Sequence, residues 1–490
     1  MWAPLILTNI LTSIMGSDVV NVGVLLPSTG DYPWVIQKTL PALQIAIESL
    51  AKNTHLLPNH LLRLVVKDSQ CSGKEGPLEA IELYRQNNAH VFIGPACDYA
   101  VAPVARYSQR WGIPVLTAGA LVSAFLDKSE YNLLTRMVGP YNKLGDFVLD
   151  ILRHFKWQHV GLLYSDFKYG ANKGKSNCFF QIEAIYLQLK KSFRTKPWHK
   201  SFSSTIGDDQ LKALLQEVME ETRVILLCAP HDTVRNIMIQ FEELGLDNGE
   251  YVVINFDMFS SGIEGRKPWF RAGDTTQRNR QARKAYEAVM TVTHRQPTSA
   301  EFAMFSKEVK KRGSALYHDY VYGEEEVNLF VGAFHDAVML YAFGLHETLA
   351  SGGNVSDGAA ITSRMWNRTF QGISGTVSID ANGDRDSDYS LLDLHPGTGR
   401  LEVVANYFGN IKQYEPVHGR RIYWAGGRTS PPPDVPKCGF HGAKCPPDER
   451  FPDYGIVIIV LGSVVLVVLV AAFLIYRWKF SNYFAMTHST

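Results

Sequence analysis

Short apolar, β-branched runs recur along this chain, and each is followed by a segment with helical periodicity. VNVGVLLP leads into a helical pattern from about Ile36 to Leu50, with Leu40, Leu43, Ile47 and Leu50 on one face. Pro41 is placed near the first turn of that helix, where a missing N–H costs little. LLRLVV precedes a helix over 77–87, HVFIGP precedes one over 99–111, and IPVLTAG closes the group. After GDFVLDILRHF the pattern restarts with HVGLLYSD, a helix from Cys178, RVILLCAP, a helix from Asp232, and YVVINFDMF. Continuous apolar strands alternating with helices imply parallel sheets covered on both faces. A single doubly wound sheet rarely needs this many units. Two α/β lobes are therefore expected, the first starting near residue 18 and the second near residue 141.

Helices over 281–293, 300–311 and 326–350 come next and are expected to include a return of the chain to the first lobe. GTVSID, YSLLDLH and RLEVVANYF read as late strands with hairpin-type turns between them. From Ser430 the sequence PPPDVPKCGFHGAKCPPDERFP is a stiff, proline-rich stalk rather than a domain. The expected organisation is a binding region over 18–428, a stalk over 429–454, a membrane helix over 455–476 and a tail over 477–490. Within the binding region the first lobe takes about 18–140 plus a return segment within about 323–370. The second takes about 141–322 plus about 371–428.

Both ends carry membrane-targeting chemistry. Ile456 to Ile475 is uncharged and about 20 residues long, which as a helix matches a bilayer core. Arg477 and Lys479 follow it, whereas Asp448, Glu449, Arg450 and Asp453 precede it with net negative charge. Basic flanks stay cytoplasmic, so the N-terminal side is expected outside, at the plasma membrane. Trp2 to Met15 is mostly apolar and ends in the small residues Gly16 and Ser17, as a signal peptide over 1–17 would, though without an early Lys or Arg. Six cysteines suit an oxidising compartment and allow fifteen pairings by spacing alone. The sequons at Asn354 and Asn367 fit that side of the membrane.

A formal net charge of +1 argues against nucleic acid or a polybasic membrane role. No G-x-S-x-G, H-E-x-x-H, Walker or G-x-G-x-x-G motif occurs, and no C-x-x-C that would suggest a metal site. DANGDRDSD places Asp380, Asn382 and Asp384 at alternate positions like an EF-hand. Arg385 and Leu391 stand where that loop needs Gly and Glu, so a polar turn is the better reading. His335–Asp336 has no nucleophile motif beside it and reads as a helix-buried polar pair.

The stretches PSTGDYPW, IGPACDYAVAPVAR, YNKLGDFV, NCFFQIEAI, FHDAVMLY, MWNRTFQGISGTVSIDANGDRD and PPPDVPKCGF resemble natriuretic peptide receptors, the family of the membrane guanylyl cyclases A and B and the clearance receptor. The resemblance runs from about Asn21 to about Tyr476, with the stalk and FLIYR closer to the cyclase members. It implies a type I periplasmic-binding-protein fold, in line with the two lobes. It also implies the disulfides Cys71–Cys97, Cys178–Cys228 and Cys438–Cys445, the last open to pairing within or between chains because a clearance-receptor stalk cysteine joins two chains. The first two would close loops of about 26 and 50 residues, each contributing about 3.5–4 kcal/mol on the chain-entropy model.

The resemblance further implies a dimer, of like or related chains, that clasps one cyclic natriuretic peptide hormone between membrane-proximal lobes. Family contact positions carry over to Tyr99, Arg106, Tyr131, Tyr164, Phe179, Ile182 and Glu183, and to His199 and Phe202 with a looser register. Phe179 and Phe180 are neighbours pointing about 100° apart on a helix, so one of them is expected in the core. Gly73 and Ser201 stand where the cyclase-A pattern has carboxylates, and KYGANKGKSN is a basic, Gly-rich departure expected at the binding rim. A buried chloride is implied on Ser69 and the N–H groups of Ala96 and Cys97, with no metal and no other cofactor. Because about 15 residues follow the apolar run, the expectation is a non-enzymatic clearance, decoy or dominant-negative receptor. The alternatives are a truncated form of a receptor guanylate cyclase and a clamp for a small molecule between the lobes.

Overall fold

The computed structural model describes residues 18–53, 55–86, 88–167, 174–193, 196–324, 326–441, 444 and 453–487. The expected signal peptide, most of KYGANKGKSN, and Cys445 lie outside the described residues. Residues up to Val435 form one unit and those from Pro436 another.

The first unit holds two α/β layers. In the first lobe, strands β1 (Asp18–Leu26), β2 (His60–Asp68), β3 (Val91–Ile93), β4 (Val115–Thr117) and β5 (Leu134–Arg136) form one parallel sheet in the order β2-β1-β3-β4-β5. Helices α1 (Ile36–Lys52), α2 (Glu75–Gln86) and α3 (Asp98–Trp111) connect them. The chain then enters α4 (Tyr141–His154) and the second lobe. There β6 (Val160–Asp166), β7 (Trp198–Ser203), β8 (Val224–Cys228), β9 (Val252–Phe256) and β10 (Val289–His294) alternate with α5 (Asn177–Ser192), α6 (Asp208–Met219), α7 (His231–Glu243) and α8 (Thr276–Ala285). Helices α9 (Ala300–Leu316), α10 (Leu329–Ala350) and α11 (Gly358–Met365) follow, then the hairpin β11 (Arg368–Gly372) and β12 (Gly375–Ile379). Strands β13 (Tyr389–Leu394), β14 (Leu401–Phe408) and β15 (Gln413–Pro416) extend the second sheet, whose order is β15-β14-β13-β10-β9-β8-β6-β7.

The alternation of buried strands and helices is thus as expected, with three differences. The window 281–293 is not one helix: α8 ends at Ala285 and Val289–His294 is a fully buried strand. The β-branched run Val-Met-Thr-Val-Thr there fits a pleated, enclosed surface better than a helix. The return to the first lobe begins at α9, not after residue 322. Phe302, Phe305 and Val309 of α9 share one buried cluster with Ala42 of α1 and Val331 of α10. Pro41 sits in the second turn of α1, where its missing N–H leaves the Gln37 carbonyl without a helical donor. The Tyr322 hydroxyl donates to that carbonyl at 2.7 Å, so the α9–α10 connection satisfies the break.

The two lobes are tied where the chain crosses between them. Arg136 at the end of β5 makes two hydrogen bonds to Asp384, 2.6 and 2.8 Å, with both side chains fully buried. Lys143 of α4 bridges Asp380 at 2.9 Å and Asp386 at 2.6 Å. Asp380 also accepts from the Asn382 and Asp384 N–H groups, so DANGDRDSD is a closed polar turn with its carboxylates already engaged. Asp336 is likewise consumed inside the protein, by His335, the Ile373 N–H and Ser374.

The start of the stalk is docked rather than free. Trp157 donates its indole N–H to the Pro432 carbonyl at 2.9 Å, and Asp434 accepts from the Gln158 and His159 N–H groups and meets the His159 ring at 2.7 Å. In the second unit, α12 (Asp453–Thr487) contains the span Gly455–Asn482, whose most apolar 18-residue window has mean hydropathy 3.3 and no buried share. α10 is also long and apolar enough to cross a membrane, but 83% of its apolar window is buried, which makes it a core helix.

Candidate functional site

The second sheet sorts the residues at its β7 edge by side-chain period. Tyr164 pairs with Ser201 and Leu162 with His199 in the parallel β6–β7 register, so Tyr164, His199 and Ser201 share the face covered by α5. Phe202 lies on the opposite face, 7% exposed, in the cluster with Leu163, Leu211 and Leu214. The expectation that Phe202 contacts a partner is therefore corrected: in a strand, Ser201 and Phe202 cannot face the same way.

α5 supplies the other wall. Its N-cap Ser176 accepts from the Phe179 N–H, and the Cys178–Cys228 disulfide pins its first turn to the end of β8. Phe179 meets Tyr164 edge-on at 6.0 Å and Phe180 at 5.4 Å. Both phenylalanines are half-buried, so neither is fully core. Ile182 points inward at 2% exposure and is packing, not contact surface. Glu183 is half-buried, and among the described residues no basic side chain pairs with it. Burial pushes its carboxyl above the usual range. One turn on, Tyr186 stands edge-on to the exposed His199 ring at 5.1 Å. Tyr186 was absent from the expected residues. Its spacing of three from Glu183 on the same helix was the available signal.

The first lobe reaches this wall through α3. Tyr99, 49% exposed, accepts at its hydroxyl from the Lys175 N–H at 2.7 Å and lies 6.3 Å from Phe180. Lys175 in turn places its ammonium 4.7 Å from the centre of the Phe179 ring and 3.0 Å from Asp166. Arg106 is seven residues from Tyr99, hence on the same face of α3. It ion-pairs with Glu130 at 2.7 Å and covers the Tyr131 ring at 4.9 Å. Tyr131 itself is 3% exposed and packs on Phe125, so it supports Arg106 from below instead of meeting a partner. The surface that remains is Tyr99, Lys175, Tyr164, Phe179, Glu183, Tyr186 and His199. It is an aromatic shelf with a carboxylate that meets no cation among the described residues, suited to a cationic, partly apolar partner.

Beside the Cys71–Cys97 disulfide, Ser69 is 1% exposed and its hydroxyl is buried without a hydrogen-bond partner. Ala96 is absent from the positive-φ residues, so its backbone accommodates the Cβ without strain. A buried hydroxyl without a partner beside that disulfide has the donor chemistry a chloride would need. Cys438 is disulfide-bonded. Asn354 and Asn367 are both exposed.

Residues 38–397 match the family model for the receptor family ligand binding region. The chain is 36% identical to atrial natriuretic peptide receptor 3 of Homo sapiens, over 81% of this chain and 72% of that protein. It is 34% identical to the receptor-type guanylate cyclase gcy-28 of Caenorhabditis elegans, over 94% of this chain and 39% of that protein. It is 31% identical to atrial natriuretic peptide receptor 2 of Mus musculus, over 94% and 44%. The chain spans less than half the length of these last two. A match across most of the two lobes, together with the two disulfides at the stated positions, shows that the chain belongs to the natriuretic peptide receptor family and carries its ligand-binding region.

Proposed function

We propose that the chain is a cell-surface receptor that binds a natriuretic peptide on the α5–β7 face of its second lobe. The observation that carries this reading is Glu183, a half-buried carboxylate without a cation among the described residues, set in a shelf of aromatic rings. A peptide arginine would supply the missing charge, and Phe179, Tyr164 and Tyr186 would take its apolar groups. The exposed apolar helix Gly455–Asn482 supports anchoring in the plasma membrane. A second copy is supported by the first lobe, where Tyr84 and Tyr107 are each over 40% exposed and pack on Trp111 at 4.6 and 5.7 Å. That aromatic patch is a fitting contact for a like or related chain. Likeness to receptor 3 over 72% of its length favours hormone capture, as clearance or decoy, as the output. Ser69 Oγ and the N–H groups of Ala96 and Cys97 would hold a structural chloride that rigidifies the first disulfide loop.

Labelled natriuretic peptide should bind saturably to cells expressing the chain, and Glu183→Gln should weaken it about tenfold. Absence of saturable binding at micromolar peptide would sink the reading. Exchange of chloride for gluconate should lower the Tm of the wild type but not of Ser69→Ala. A second reading, that the chain is part of a longer receptor guanylate cyclase, is favoured by alignments that cover 94% of the chain in two relatives, against 81% in receptor 3. A transcript spliced beyond Thr490 into a kinase-like or cyclase exon would establish it.

A further inference from the structure

Residues 264–284, from the loop after β9 through most of α8, hold seven Lys or Arg and two carboxylates, in a chain whose formal net charge is +1. Three of these cations are neutralised by the fold. Arg271 pairs with Asp232 at 2.7 Å, Arg278 with Asp274 at 3.5 Å, and Lys284 with Asp247 at 2.8 Å. Lys267, Arg280 and Arg283 are not, and neither is Arg400 from the turn between β13 and β14. Among the described residues no carboxylate comes within ion-pair distance of any of these four. The two nearest carboxylates are placed otherwise. Glu264 accepts from the Val403 N–H, and Glu287 is half-buried and acts on Arg283 only through space.

Neutral groups hold these cations in place. Arg283 donates to the Pro396 and Gly397 carbonyls, and Arg400 to the Gly265 carbonyl at 2.8 Å. The Trp269 indole N–H donates to the Gly399 carbonyl at 2.7 Å, which ties the β13–β14 turn to the loop before α8. The Arg283 guanidinium and the Lys267 ammonium each lie 5.8 Å from the centre of the Trp269 ring. Arg280 stands three residues before Arg283 and is its neighbour on the surface of α8. A carbonyl orients a guanidinium without cancelling its charge, and Arg has five N–H donors, so donors remain for an anion. Side chains ordered in advance lose less entropy on binding. Four strands separate β13 from β7, so this patch is distinct from the proposed hormone face.

We propose that this face of the second lobe binds a sulfated polysaccharide. The partner must carry anionic groups in series, because the four cations are spread over α8, the loop before it and the β13–β14 turn. Guanidinium forks suit oxyanions, and clusters of Lys and Arg suit heparin-like polyanions. The choice of glycan over other polyanions rests on the cell-surface placement proposed above. Sulfated glycans share that side of the membrane, whereas anionic lipid is concentrated in the cytoplasmic leaflet.

The test is binding of the full chain, in detergent, to immobilised heparin across a salt series. Fully desulfated heparin and phosphatidylserine vesicles serve as parallel arms. Heparin should bind saturably, and log Kd should rise linearly with log salt as counterions are released. The desulfated chain and the vesicles should not bind. Lys267→Gln/Arg280→Gln removes two charges and no side-chain hydrogen bond. It should keep the wild-type Tm, weaken heparin binding about tenfold and lower the salt slope by about one to two. Lys190→Gln/Lys191→Gln removes the same charge from the end of α5 and should leave binding within about twofold of wild type, since salt screens distant charges. Equal losses in the two variants would overturn the proposal, because the attraction would then follow net charge and not this patch. Absence of heparin binding at physiological salt would overturn it too, as would equal binding of the desulfated chain or of the vesicles.

Discussion

Two regions of this molecule carry carboxylates beside aromatic or apolar surroundings, and they treat them in opposite ways. At the crossing between the lobes, Asp384 is fully buried and bound by Arg136, Lys128 and Asn382. On the α5–β7 face, Glu183 is half-buried and has no cation among the described residues. A satisfied buried charge fixes the relation of two structural pieces. An unsatisfied one keeps a standing desolvation cost that a partner can relieve. Charge alone therefore does not mark a binding site in this fold. The absence of an internal partner does.

The largest effect is expected at the crossing between the lobes. Asp384→Ala leaves Arg136 buried and unpaired and should cost about 3–5 kcal/mol of stability, read by chemical denaturation of the full chain. An effect below about 1 kcal/mol would show that the crossing is not held this way. Next, Phe179→Ala should lower peptide affinity by about 2 kcal/mol, as loss of an aromatic anchor does. Phe202→Leu, a buried position on the other sheet face, should cost about 1 kcal/mol in folding and leave peptide affinity unchanged. Equal losses of affinity in both would remove the distinction between the two faces of β7. Glu183→Gln should weaken peptide binding by about 1.4 kcal/mol while the free chain's Tm stays level or rises, seen by calorimetry and thermal melts.

The smallest effect separates the two carboxylates by pH. Burial pushes Asp384 upward, but Arg136, Lys128 and Asn382 outweigh it and hold its carboxyl below the usual range. Its stabilisation is present above the unfolded carboxylate pKa and is lost as pH falls through the folded value. Glu183 is shifted the other way by burial, so its ionisation costs stability as pH rises through the folded value, and acidification relieves that cost. Below about pH 4 the wild type should lose stability that Asp384→Asn has already lost. Peptide binding should weaken as acid neutralises Glu183, and Glu183→Gln should flatten that dependence.

Much of the fold was legible in the residues because enclosed parallel strands are written as near-continuous apolar runs, as in VVNVGVLL, VILLC and VVINF. Where the pattern was ambiguous the reading failed. A Tyr-Glu-Ala junction runs from α8 straight into β10 with no Gly or Pro between, so local periodicity could not separate helix from strand. The site was legible to the same degree. Tyr164, Phe179, Glu183, His199, Tyr99 and Arg106 lie on the surface or at its rim. Tyr131, Ile182 and Phe202 are buried, because a motif match carries position but not the direction of a side chain. Tyr186 escaped because no motif marked it, although it shares the helix face.

The sequence by itself determined that the chain builds two α/β lobes, carries an apolar membrane-length helix and resembles hormone receptors, since periodicity and composition are local properties. Which cysteines pair was open to spacing and became definite only with family resemblance and the folded geometry. Only the tertiary structure decided that α9 returns to the first lobe, that Tyr322 repairs the break at Pro41, and that Glu183 meets no cation among the described residues while Asp384 does. Each of these depends on residues far apart in the chain meeting in space. A linear pattern encodes the groups that must be satisfied, and only packing determines which of them find a partner.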